Sequence, residues 1–287
     1  MLVLDIQRTK EDFLKKKGKS SNGTFRSYEN IFKNFEKFSQ FRYNSSLENI
    51  IKELAILKNC QEQVENLLQT YIDELESQNK PLSTVQSYSN LIKTYLKYRR
   101  VKFDKDELDL SLKSELKEEL YPISKKEIKA LMDNSSFDWK TKILIMSSGG
   151  LRISELLGLR KCDINRELER YSVYISAKNA KGHRARTTLI SIEAMEYLDK
   201  LLENKSDNDF LFPRRTENPI YFSMANLKSF QTIRKKAGLD MKYQGKITHK
   251  ITTHSFRAFF ISQFEKTFSG YGHAPVSYTH LRAHETP

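Results

Sequence analysis

Apolar residues recur three and four apart through nearly the whole first third of the chain, and this spacing restricts that region to packed helices. Tyr28, Ile31, Phe32, Phe35 and Phe38 form one such series, and Val64, Leu67, Leu68, Tyr71 and Leu75 form another. Each series places its side chains on one face of a helix, which must be buried. Pro81 opens a further segment in which Val85, Tyr88, Leu91, Ile92, Tyr95 and Leu96 repeat the spacing. A proline is suited to a first helical turn, where its missing N–H would be unpaired in any case. Residues 20–101 therefore read as a bundle of about four helices, preceded by an N-terminal segment, 1–19.

From 102 to 121 charges alternate without a wide apolar face, which reads as a linker with at most a short solvated helix. Ser124-Lys-Lys-Glu127 has the spacing of a capping box and starts a second domain, 122–274. There the apolar run Ile143–Met146 enters Gly149-Gly150, a pair expected to end a buried helix. Tyr171–Ala177 and Thr187–Ile190 have strand character and are joined by the basic segment Lys178–Arg186. Helical spacing returns at Ile192–Leu202, Met224–Ala237 and Ser255–Phe264. The expected fold class is mainly α with a small β-sheet, in two domains.

The net charge of +13 suits a partner that carries phosphates, and the excess lies on both sides of the acidic stretch 101–120. Cys60 and Cys162 are too few for a disulfide framework or a zinc site, so the cytoplasm is the expected compartment. No window has the length or apolarity of a membrane span.

Three basic landmarks are set in separate structural contexts. Arg152 follows the glycine pair in Gly149-Gly-Leu-Arg-Ile-Ser-Glu-Leu156, Lys181 stands at the hairpin tip in Lys181-Gly-His-Arg-Ala-Arg186, and His254 and Arg257 form His-Ser-Phe-Arg. Their order and spacing resemble the tyrosine recombinases, the phage integrase family. The first segment is similar to that family's first arginine box, the hairpin to its catalytic-lysine loop, and the last to its His-x-x-Arg box. The helical bundle then corresponds to the family's core-binding (SAM-like) domain and the second domain to its catalytic domain.

The resemblance implies cleavage and rejoining of DNA through a 3′-phosphotyrosyl intermediate. Arg152 and Arg257 would clamp the nonbridging oxygens, a task to which the planar guanidinium fork is suited. Lys181 would protonate the departing 5′ oxygen and His254 would accept a proton near the nucleophile. Lys178 is the rival for the lysine role. Glu155 and Asp163 are read as holding the helix and orienting arginines. The resemblance implies no metal and no cofactor, with double-stranded DNA and a homotetramer on two DNA sites as partners. Backbone contacts to DNA are expected from Arg99, Arg100, Arg184, Arg186, Arg234, Lys235, Lys236 and Lys250. A non-catalytic DNA-binding regulator and a type IB topoisomerase-like enzyme are the alternatives.

The chain departs from this pattern after Arg257. The family places a second histidine and then the nucleophilic tyrosine past a further helix. Here His273 and Tyr278 are the candidates, and Tyr278, in Tyr278-Thr-His280, falls short of the expected spacing. Val276-Ser-Tyr-Thr-His-Leu-Arg-Ala-His-Glu-Thr286 has neither helical nor strand periodicity and resembles the translation of a sequencing-library adapter. Residues 275–287 are accordingly read as a non-native tail, and the chain is expected to be inactive for lack of its tyrosine.

Overall fold

The computed structural model describes residues 8–18, 22–114, 121–167, 169–180, 182–214, 216, 218–244 and 248–268. The chain divides into two compact units, one running to Glu118 and the other from Glu119.

The first unit contains α1 (Lys10–Gly18), α2 (Asn22–Tyr43), α3 (Leu47–Ile56), α4 (Gln61–Ser77) and α5 (Leu82–Tyr98). The three-and-four spacing becomes a core in which Phe13, Phe35, Tyr71 and Tyr95 are wholly buried. Edge-to-face pairs lock these rings: Phe13 with Phe32 and Tyr95 at 5.9 and 5.1 Å, and Phe35 with Tyr71 at 4.7 Å. The Tyr71 hydroxyl donates to Asn34 Oδ1 at 2.6 Å, so the buried phenol is satisfied. Burial pushes its pKa far up, as it must when no cation is near to hold a phenolate. Helix α1 lies where the sequence reading placed only an N-terminal segment. Its apolar pair, Phe13 and Leu14, is adjacent in sequence and shows no period, yet both side chains are buried in the bundle.

Residues 102–114, within the stretch read from sequence as linker, contain no helix and with Val101 form an extended strap fixed to α4. Val101 and Phe103 are buried in the first unit's core. Along α4, Gln61 pairs with both backbone groups of Asp104, accepting at 2.8 Å and donating at 3.1 Å, and Gln69 does the same with Ser111 at 2.9 and 3.1 Å. Glu65 and Glu76 accept from the Asp109 and Lys113 N–H groups. Side-chain amides thus supply to the strap the pairing that a neighbouring strand would otherwise give. Charge alternation conceals this because the strap contributes backbone, not side chains.

The second unit is built around α7 (Phe137–Gly149), which is buried along most of its length. Packed against it are α6 (Lys125–Asp133), α9 (Ile192–Leu202) and α11 (Thr253–Phe268), while α10 (Pro219–Lys236) joins the same core through Phe222, Phe230 and Ile233. Ser124 caps α6 in a full capping box with Glu127. A three-stranded antiparallel sheet has the order β1 (Ile164–Asn165), β2 (Ser172–Ile175), β3 (Arg186–Leu189). Register pairs Ile175 with Arg186, so the hairpin opens toward its tip directly beyond Arg186. Strand β1, two residues long, is too short to show alternation in sequence. The fold is mainly helical with one small sheet, as its sequence pattern implied.

Candidate active site

The site begins with the end of α7. Gly150 adopts φ +66°, its N–H closes the helix onto the Met146 carbonyl, and the chain turns into α8 (Ile153–Leu156). A side chain at Gly150 is excluded twice, by this left-handed backbone and by Phe260 of α11, whose Cδ1 would lie 2.4 Å from the added Cβ. The close approach delivers Arg257, three residues earlier on α11 and itself buried, to the Gly150 carbonyl, which accepts from its Nη1. Arg257 thus bonds the backbone two residues before Arg152, although 105 positions separate the two arginines in sequence.

Arg152 opens α8 and faces Glu155. The Glu155 carboxylate is fully buried and accepts from the Arg152 backbone N–H at 2.8 Å and from its Nη1 at 3.1 Å. Arg186, at the start of β3, forks onto the same carboxylate at 3.1 and 2.6 Å. Burial alone would push the Glu155 carboxyl up, but hydrogen bonds from Arg186 and the Arg152 backbone, with the charges of both arginines, hold it below the usual carboxylate range. The carboxylate therefore stays ionised and ties β3 to the start of α8. Thr188 of β3 adds a tie to α7 by donating to the Gly149 carbonyl at 3.0 Å.

His254 lies in the first turn of α11, three residues before Arg257 and hence on the same helical face, and is exposed. Its N–H bonds Thr252 Oγ1 at 3.2 Å, and Ser255 Oγ accepts from the Thr252 N–H, which fixes the helix start. Lys181 lies outside the described residues, as do His273 and Tyr278. The residues flanking Lys181 are placed: Ala180 is buried, Gly182 and His183 have φ of +93° and +55°, and the Asn179 amide donates to the Gly158 carbonyl at 3.3 Å. The hairpin is thus tied to the chain leaving α8 immediately before Lys181. Lys178 is exposed.

The residues expected to contact DNA fall into two groups. Arg99 forks onto Glu48 at 2.5 Å, Arg186 is engaged with Glu155, and Arg234 is 4% exposed, bound to Asp240 at 2.8 Å and to the Ile251 carbonyl at 2.9 Å. In each case a carboxylate already takes the guanidinium. Arg100, Arg184, Lys235 and Lys236 are exposed, and Lys250 lies partly buried with its ammonium 5.6 Å from the centre of the Tyr121 ring. Among the described residues no group of three or more His, Cys, Asp or Glu stands ready to hold a metal, and no described helix is long and apolar enough to cross a membrane.

One buried charge escaped the sequence reading. Lys142 on α7 donates to Asn226 Oδ1 at 2.8 Å and lies 5.0 and 4.7 Å from the ring centres of Trp139 and Phe212. It immediately precedes the apolar run Ile143–Met146, and nothing local in sequence marks it as buried.

A helical unit is thus followed by a second, mainly helical unit in which Arg257 bonds the carbonyl of a helix-ending glycine two residues before Arg152. Residues 121–267 match the phage integrase family, and the chain belongs to that family, tyrosine recombinases that bind DNA and carry out its recombination and integration. Solved structures share the fold at low identity. The Tn1549 transposon integrase in complex with transposon right end DNA is 14% identical, with 96% of this chain and 97% of that chain covered and a TM-score of 0.65. The XerH site-specific recombinase in a post-cleavage complex with a palindromic difH substrate is 17% identical, with 94% and 79% covered and a TM-score of 0.58. The lambda integrase, residues 75–356, bound to DNA is 14% identical, with 90% and 86% covered and a TM-score of 0.58. No curated protein matches the chain.

Proposed function

We propose that the protein is a site-specific DNA recombinase whose second unit activates one phosphodiester for attack by a tyrosine. The convergence of Arg152 and Arg257 on the Gly150 turn carries this reading. Charge grows on the nonbridging oxygens as the tyrosine Oη bonds to phosphorus and the bond to the 5′ oxygen breaks, and two guanidinia at one turn stabilise that charge. His254, on the Arg257 face of α11, accepts the tyrosine proton. Lys181 gives a proton to the departing 5′ alkoxide, so a free 5′ hydroxyl and a 3′-phosphotyrosyl ester result. The ester conserves the bond energy, and the steps run in reverse on a second end without a metal or nucleotide cofactor. Exposed Arg100, Arg184, Lys235 and Lys236 support binding along the DNA backbone, with a tetramer on two duplexes as the working assembly and the cytoplasm as its compartment.

The same reading holds that the chain as it stands binds DNA without forming the ester. Tyr278 follows Arg257 too closely to reach it past a further helix, and it lies in a stretch without periodicity. The test is incubation with a nicked suicide duplex, followed by denaturing electrophoresis and mass analysis. Salt-sensitive binding with no covalent band is expected. An adduct lost on Tyr278→Phe would identify that tyrosine as the nucleophile and overturn the reading of the tail. Binding insensitive to salt would remove the backbone-contact account.

A further inference from the structure

Arg186 stands at the mouth of the hairpin, in register with Ile175, and its fork is closed on the one fully buried carboxylate beside Arg152. Arg152, Arg186 and Glu155 together carry one net positive charge. Without Arg186, Arg152 and Glu155 would form a neutral pair, and Arg152 would offer an approaching phosphate a dipole in place of a cation. We infer that Arg186 is a positioning residue: it neutralises Glu155 so that Arg152 keeps a full charge for the scissile phosphate, and it anchors the Lys181 hairpin to the Arg152 turn. This rests on the phosphate-activating role proposed above.

The geometry favours this over direct contact with DNA. Both terminal nitrogens of Arg186 are committed to Glu155, the shorter bond being 2.6 Å, and Glu155 has no solvent exposure. A guanidinium in such a fork cannot move to a phosphate without depriving a buried anion of one of its two arginines, which is unfavourable. Arg152 binds Glu155 through one side-chain nitrogen and one backbone N–H, which leaves the remainder of its fork unspent on that carboxylate, and about a quarter of its side chain is exposed. Glu155 is paired with Arg152 on its own turn and with Arg186 on β3, and Arg257 on α11 bonds the Gly150 carbonyl two residues before Arg152.

The test uses the full chain and a fluorescein-labelled duplex, with affinity followed by anisotropy at about 0.1 M salt at pH 8 and pH 5.5. Each variant is first shown to be folded by the fluorescence of Trp139, the sole tryptophan. Arg186→Met is expected to weaken binding about eightfold at pH 8, the worth of one phosphate contact at that salt. At pH 5.5 the ratio to wild type should shrink, because Glu155, buried and short of one arginine, takes up a proton and releases Arg152. Taking the ratio at each pH cancels the response of every group that both proteins share. Glu155→Gln/Arg186→Met should restore binding at pH 8 to within about twofold of wild type and abolish the pH dependence, since no anion then remains to neutralise Arg152.

If Arg186→Met does not fold, Arg186→Gln, which removes the charge and keeps a polar group beside Glu155, carries the same test in the two backgrounds. A loss that is equal at both pH values, unrescued by Glu155→Gln and accompanied by a salt slope lower by about one, would make Arg186 a direct phosphate contact and overturn the inference. An unchanged affinity would overturn it as well. If wild type itself does not bind the duplex, the functional reading fails instead, a result separable from either outcome for Arg186.

Discussion

Glu155, at the start of α8, and Lys142, in the middle of α7, are both buried charges of the second unit, and their surroundings differ in kind. Glu155 receives two guanidinia from different elements and a backbone N–H, so its charge persists below the ordinary carboxylate range despite burial. Lys142 is 5% exposed and receives one neutral amide oxygen and two ring faces. Burial pushes its pKa down to about 8, against a small opposing effect of Asp138. A buried charge is maintained where complementary full charges converge, whereas ring quadrupoles and one amide dipole compensate only in part. The persistent charge lies beside Arg152, in the site proposed to handle a phosphate, and the compromised one lies in the apolar helix α7.

The largest effect expected to strain this contrast is that of Glu155→Ala. It leaves two guanidinia facing each other and an N–H at the helix start without its acceptor, and it should lower the stability of the second unit by about 3–5 kcal/mol. Denaturant titration followed by Trp139 fluorescence measures it. A loss below about 1 kcal/mol would mean that both arginines swing to solvent and that the network organises nothing.

Lys142→Met, similar in length and without charge, examines the other side. Because the folded state lowers the Lys142 pKa, it favours the neutral amine. The penalty is absent above the unfolded value near 10.4, grows as pH falls toward 8, and is constant below that. Wild type should therefore gain about 3 kcal/mol relative to the variant as pH rises from 8 to about 10.4. At pH 7 the variant's advantage is reduced by about 1–3 kcal/mol, because Asn226 Oδ1 loses its donor. Parallel stability curves for the two proteins across pH 8–10.4 would show that Lys142 keeps its charge in the fold, and the contrast with Glu155 would collapse.

The smallest effect belongs to Glu48→Gln in the first unit. Arg99 and Glu48 form a fork as short as that at Glu155, but the Glu48 side chain is 48% exposed. Water solvates the carboxylate with or without its partner, so the substitution should cost less than about 1 kcal/mol. A loss comparable to that of Glu155→Ala would mean that fork geometry, and not burial, sets the worth of these pairs. Circular dichroism through denaturation, corrected for the second unit by Trp139, reads this change.

Much of the architecture was legible in sequence because it depends on periodicity. The series Tyr28–Phe38, Val64–Leu75 and Val85–Leu96 lie on α2, α4 and α5, and Ser124 and Glu127 form the capping box that their spacing implies. Helix α1 was missed because two adjacent apolar residues have no period. The strap at 101–114 was missed because its pairing uses backbone groups, which are the same at every residue.

At the site, the sequence marked Arg152, His254 and Arg257 through residue type, order and the glycine pair before the first of them. It also made Gly150 intelligible, since a helix that ends in a left-handed turn calls for glycine at that position. Tertiary structure decided what each guanidinium does. Arg99, Arg186 and Arg234 read as free cations along the chain, and each is closed on a carboxylate, 51, 31 and 6 positions away respectively. Sequence determines where charge is attached and how strictly an element must fold. Whether a charge is spent or available depends on which opposite charge shares its burial, and that distance is set only when α7, α11 and β3 pack together.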